Sequence, residues 1–257
     1  MNSIKKLVAV GAVSLCLLSA QSCYEKEDGL LIFAASSLRD ALDPLGQEYE
    51  ALHNTKVRFS FGGSVTLAHQ LSRNAPGDVF ISAGRGPMDV LKVDNVLAEG
   101  TESALLSNRM VVVIPQDMEN KSHDIMETLK QSNRIALADP KLAPAGSYAR
   151  EAIQHLGVWQ QIAPKVVFGG DVRSVLAYVE SGAVDVGIVY YTDALTSAGV
   201  NIVHEVPDAL HSPIIYPVAV LSHSNNKQSG QKFIAFLKGR HAQTRFQGFG
   251  FGVTIGP

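Results

Sequence analysis

The chain reads as a two-lobed α/β protein, each lobe a mixed, mostly parallel sheet flanked by helices, with a ligand cleft between them. Three observations predict this. Short apolar runs alternate with segments of helical periodicity, the pattern of strand and crossover helix. That alternation runs to about residue 83 and restarts at Met110. A further strand pattern then returns at residues 216–221. A first lobe of residues 24–108 and 216–257 and a second of residues 109–215 accommodate all three.

In order, residues 30–35 form an apolar strand that runs into Ser36-Ser37. Leu38, Ala41, Leu42, Leu45, Tyr49 and Leu52 follow at helical spacing, with Pro44 predicted to kink that helix or delay its regular part. Residues 57–61 are the next strand, closed by Gly62-Gly63-Ser64 before a helix through Leu67, Ala68 and Leu71. Residues 78–83 complete a strand–helix–strand–helix–strand series. The second series has strands at 110–115 and 134–138, then Pro144-Ala145-Gly146 and a helix over 147–156, stopped by Gly157. A strand at 166–168 leads through Gly169-Gly170-Asp171 to a helix over 172–180, and 184–190 is a strand. The strand at 216–221 and a helix over 228–237 close the chain.

The N-terminus has the marks of an export signal. Lys5 and Lys6 precede an apolar stretch over residues 7–20, long enough for a signal-peptide core and short for a membrane span. Residues 1–23 are therefore expected to be removed or anchored. Cys23 follows Ala20-Gln21-Ser22, which leaves ordinary cleavage or lipid attachment at Cys23; we favour lipidation, although Ala20 stands where a lipobox usually has leucine. Glu25, Glu27 and Asp28 then form a solvated tether, and the expected location is the periplasm or extracytoplasmic face. The other cysteine, Cys16, lies inside the apolar stretch, so the mature chain has no disulfide to stabilise it.

Four strand-to-helix junctions carry small or hydroxyl residues: Ser36-Ser37, Gly62-Gly63-Ser64, Pro144-Ala145-Gly146 and Gly169-Gly170-Asp171-Val172. Each leaves backbone N–H groups free at the positive end of a helix. Open α/β sheets bring such junctions to the carboxyl ends of strands, where ligands bind. One junction of this kind is ordinary helix capping; four, two per lobe, describe an anion site. Arg39 and Arg173 come only one or two residues into their helices. With a formal net charge of −2, the chain would hold an anion by local dipoles rather than by its overall field. A site of donors alone suits a fully deprotonated dianion. Hydrogen phosphate would bring a proton that needs an acceptor, and a buried donor left unpaired costs ~1–3 kcal/mol. Asp171 is the one candidate acceptor, and its position suits an N-cap.

At these residues the sequence resembles the periplasmic molybdate-binding proteins, a branch of the type II solute-binding fold. The resemblance runs through Phe33-Ala34-Ala35-Ser36-Ser37-Leu38, Gly62-Gly63-Ser64-Val65-Thr66-Leu67-Ala68 and Asp78-Val79-Phe80-Ile81-Ser82-Ala83. It continues in Pro144-Ala145-Gly146-Ser147-Tyr148-Ala149, Asp171-Val172-Arg173, Gly187-Ile188-Val189-Tyr190 and Tyr216-Pro217-Val218-Ala219-Val220. The resemblance implies an extracytoplasmic protein that captures molybdate, and tungstate as a similar dianion, for an ABC importer permease. It places hydroxyl donors at Ser37, Ser64 and Tyr190 and backbone donors at Ala145 and Val172. Four positions depart from the family's pattern. Gly62-Gly63 stands where small hydroxyl residues are usual, Gly84 where an acidic residue is frequent, and Ser36 where alanine is common, which leaves Ser36 as an alternative donor to Ser37.

Rival readings are weaker. There is no Gly-x-Ser-x-Gly elbow, no cysteine outside the signal segment and no acidic pair at a junction, so catalysis is not expected. The eight histidines lack the close paired spacing of a zinc site, and no cofactor or direct protein–metal bond is expected; the metal would arrive as its oxyanion. Lys and Arg are spread along the chain, against a nucleic-acid partner. Strand packing is the alternative role for Tyr190, and core packing is expected of Trp159. A binding protein for sulfate or another tetrahedral oxyanion, or a ligand-sensing module, are the remaining alternatives. A monomer is expected.

Overall fold

The computed structural model describes residues 29–120 and 122–253. The signal segment and Cys23 lie outside the described residues. The first lobe begins with β1 (Gly29–Ala35), a 3-10 turn over Ser36–Leu38, α1 (Arg39–His53), β2 (Lys56–Gly62), α2 (Ser64–Ser72), β3 (Val79–Ile81), α3 (Arg85–Val93) and β4 (Ser103–Ser107). The second holds β5 (Met110–Pro115), α4 (Ile125–Gln131), β6 (Ile135–Ala138), α5 (Pro144–His155), α6 (Trp159–Ile162), β7 (Val166–Gly169), α7 (Val172–Glu180), β8 (Val186–Tyr190), α8 (Tyr191–Leu195) and β9 (Val200–Glu205). The chain then returns through β10 (Ile215–Val220), α9 (Lys227–Lys238), α10 (Arg240–Gly248) and β11 (Gly252–Val253).

Two sheets result, with strand orders β11-β4-β10-β3-β1-β2 and β7-β6-β8-β5-β9. Parallel pairing is confined to β2-β1-β3 and β7-β6-β8. The strands that carry the chain between lobes pair antiparallel: β4 and β10 in the first sheet, β5 and β9 in the second. Each sheet is therefore parallel where helices follow its strands and antiparallel where the chain crosses. The crossings run side by side, since Asn108 N–H donates to the Ile214 carbonyl and Val206 N–H to that of Met110. β5 is buried along its whole length, as its unbroken apolar run requires.

Two boundaries differ instructively from the sequence reading. α5 starts at Pro144, three residues before the predicted helix, because proline at the first helical position loses no intrahelical bond. α1 begins at Arg39, after the tight Ser36–Leu38 turn, and runs on through Pro44, so the helix is not delayed to the proline.

Candidate functional site

The parallel strands of both sheets end at one place. β1 stops at Ala35, β2 at Gly62, β6 at Ala138 and β7 at Gly169, and the helical segments that follow them present their N-termini to a common cavity, which Tyr190 at the end of β8 also lines. It is lined by Ser36, Ser37, Gly63, Ser64, Ala83, Ala145, Val172 and Tyr190 among others, and no lining residue is charged. All five residues named from the sequence are therefore brought together. The cavity volume is about 10 Å³, far below the ~300–1,000 Å³ usual for organic ligands. The lobes leave no room for an organic solute there. A larger hollow of about 640 Å³ opens beside it, where apolar groups such as Val65, Pro87 and Pro213 are joined by the charged side chains of Arg85 and Glu151.

Each donor is set by its local structure. Pro144 has no N–H and Gly146 N–H turns back to the Ala143 carbonyl, so Ala145 supplies the free amide of α5. In α7 the Asp171 carboxylate accepts from Ser174 N–H and Oγ–H, which makes it the helix cap rather than an acceptor in the cavity. The Val172 amide, in the same first turn, is not taken by that cap. Ser64 Oγ accepts from Ala83 N–H at 3.0 Å and keeps its own proton for a ligand. Tyr190, buried at the end of β8, donates to the Ala83 carbonyl at 3.3 Å. Burial, with Tyr216 nearby, holds the Tyr190 hydroxyl well above the ordinary tyrosine range, so it stays protonated. Both Ser36 and Ser37 line the cavity, and the Ser37 hydroxyl lies 3.0 Å from that of Tyr216.

The two arginines near the junctions face elsewhere. Arg39 lies over the ring of Phe61. Arg173 pairs with Asp40 of the first lobe and lies 2.6 Å from Asp193 Oδ1 of the second, off the axis of a hydrogen bond. Burial pushes the Asp193 carboxyl up to about 7, against the pull of Arg173. Tyr191, beside Tyr190 in sequence, begins α8 and stacks under Arg109. Trp159 is half-buried against the core beneath Arg150. Among the described residues no group of His, Cys, Asp and Glu could hold a metal ion.

The lobes are in close contact around the cavity. The amides of Val65 and Thr66 donate to the Leu142 carbonyl of the second lobe. Gly63 permits that approach, since a Cβ there would lie 2.5 Å from the Leu142 oxygen. Gly84 packs likewise on α5, where a Cβ would meet Pro144 at 2.9 Å and the Tyr148 hydroxyl at 3.1 Å. Two of the departures from the family pattern are thus contact points between lobes. Asn108 and Tyr216 were not singled out as site residues from the sequence, since an asparagine before an apolar run and a strand tyrosine carry no signal of their own.

Known proteins bear on this arrangement. The chain is 36% identical over 252 residues to the molybdate-binding protein ModA of Escherichia coli, covering 96% of this chain and 97% of that one. It is 36% identical over 228 residues to a putative ABC transporter substrate-binding lipoprotein, YvgL, of Bacillus subtilis, with 88% and 87% covered. Among solved structures, the substrate-binding domain of a putative molybdenum ABC transporter from Clostridium difficile superposes with a TM-score of 0.68 at 35% identity, over 88% of this chain and 99% of that one. The periplasmic molybdate-binding protein of Azotobacter vinelandii, at 20% identity and a TM-score of 0.78, shares the two-lobed fold. With a family model matching residues 30–252, the chain belongs to the bacterial extracellular solute-binding proteins.

Proposed function

We propose that this protein captures molybdate, and the similar dianion tungstate, outside the cytoplasm and delivers it to an ABC importer permease. The carrying observation is an uncharged cavity, at the carboxyl ends of both sheets, into which hydroxyls and helix-start amides converge. Ser37, Ser64 and Tyr190 would supply O–H donors, and Ala145 and Val172 backbone N–H donors. An oxyanion bearing no proton satisfies such a set; one bearing a proton leaves a donor facing a donor. The molybdate-binding relatives support the same reading. Because donors come from both lobes, ligand favours the closed arrangement. The protein would act as a monomer, without a cofactor.

Calorimetric titration with molybdate, tungstate, sulfate and phosphate tests this. Molybdate and tungstate should bind at least ~1000-fold more tightly than phosphate, on the order of 4 kcal/mol. Comparable phosphate affinity would overturn the reading. We further propose lipid attachment at Cys23, which the lipoprotein relative supports. Cys23→Ser should move the protein from the membrane to the soluble fraction; a parent protein already soluble would mean ordinary cleavage.

A further inference from the structure

The geometry points to Asn108 and Tyr216 as positioning residues that hold the Ser37 hydroxyl proton toward the bound oxyanion. This rests on the proposal that Ser37 is one of the anion's donors. The direction of the hydrogen-bond chain follows from its far end. Arg109 N–H donates to Asn108 Oδ1 at 2.9 Å, and a backbone amide can only donate, so the carboxamide oxygen is fixed on that side. The Asn108 NH₂ group then faces Thr192 Oγ1 at 2.9 Å and the Tyr216 hydroxyl at 3.1 Å, one hydrogen for each. Tyr216 oxygen accepts from Asn108, so its own proton goes to the remaining neighbour, Ser37 Oγ at 3.0 Å. Ser37 accepts there and its proton is left to point into the cavity.

Tyr216 is fully buried, and burial holds its phenol protonated far beyond physiological pH. The chain of bonds therefore keeps one polarity. Its effect is on selectivity. A hydrogen-bearing oxyanion would need the second Ser37 lone pair turned toward it, which swings the Ser37 proton away from the ligand and forfeits that donor. Ser64 is committed in the same sense by the Ala83 amide. Asn108 lies where the chain first crosses between lobes, joining β4 to β5, so the crossing itself sets which way the Ser37 proton points.

Reversing the polarity tests this. In Asn108→Asp the carboxylate would accept from Tyr216, Tyr216 would accept from Ser37, and a Ser37 lone pair would face the anion. Molybdate affinity, read by calorimetry, should fall about tenfold or more. Asn108→Asp combined with Tyr216→Phe keeps the added charge but frees Ser37, so binding should recover at least about threefold relative to Asn108→Asp alone. Tyr216→Phe alone should weaken molybdate several-fold and leave phosphate binding no weaker. A double variant as weak as Asn108→Asp would assign the loss to charge repulsion and overturn the inference, as would an unaffected Asn108→Asp. In both cases tight molybdate binding by the parent would leave the proposed function standing. A parent that binds none of the four oxyanions would sink both together.

Discussion

Replacing Gly63 with alanine would set a methyl group against the opposite lobe while leaving its own lobe undisturbed. Gly63 has φ −64° and ψ 128°, a conformation alanine adopts freely. The consequence lies across the cleft, where the new Cβ would be 2.5 Å from the Leu142 carbonyl oxygen and 3.0 Å from that of Gly170. Both are backbone atoms, which cannot rotate aside. Relief requires the lobes to part by roughly 1 Å at this point, given ~3.5 Å for ordinary contact. That movement also stretches the Val65 and Thr66 bonds to Leu142, each already 3.2 Å. Overpacking of this kind costs ~1–3 kcal/mol. The cost falls on the closed arrangement alone, so molybdate affinity should drop about 5- to 150-fold. Calorimetry gives the affinity, and a thermal melt without ligand checks folding. Small-angle scattering should show less compaction on ligand addition than in the parent. Parent-like affinity would refute the reasoning, because closure would then not need this contact. A large fall in the unliganded melting temperature would refute it too, by showing that the contact serves folding.

Other perturbations isolate single terms. Tyr190→Phe removes a hydroxyl that holds only a long bond to Ala83, so stability should change little while the anion loses a charge-assisted bond of ~1.5–3 kcal/mol, or about 10- to 150-fold in affinity; unchanged binding would make the ring a packing group. Ser64→Ala should weaken binding similarly and also destabilise the unliganded protein by ~1–3 kcal/mol, because the buried Ala83 amide loses its acceptor; a parent-like melt would contradict that. Asp193, raised to about 7 by burial, holds its proton more tightly in the folded state than in the unfolded chain at ~3.9. Its contribution is therefore fully present below pH ~4 and is lost as pH rises toward 7. Asp193→Asn should gain stability relative to the parent across that window, and a difference independent of pH would mean the carboxylate stays ionised beside Arg173.

Most of the order of strands and helices and the four strand-to-helix junctions were legible in the sequence because each rests on local chemistry, whereas Tyr190 was reached only through the family resemblance. Apolar periodicity marks an element, and a small or hydroxyl residue after a strand marks an exposed helix start. The weaker readings concern elements whose partners are distant. β4, β9 and β11 lie antiparallel beside β10, β5 and β4 respectively, each set by partners roughly 85 or more positions away in the chain. α10 likewise follows another helix, α9, with only the two-residue β11 after it.

What the sequence by itself determined, then, is which backbone and hydroxyl groups have hydrogen atoms to offer, since capping and helix polarity act within one turn. Only the tertiary structure decided where those hydrogens point and what stands between the lobes. Ser37 is joined to Tyr216 across 179 positions, and Arg173 reaches Asp40 across 133. The same holds for Gly63 and Gly84, whose missing side chains make room for a lobe that no local pattern describes. Hydrogen-bond direction and steric fit are properties of pairs, and the pairs exist only once two sheets have folded and met along their carboxyl edges.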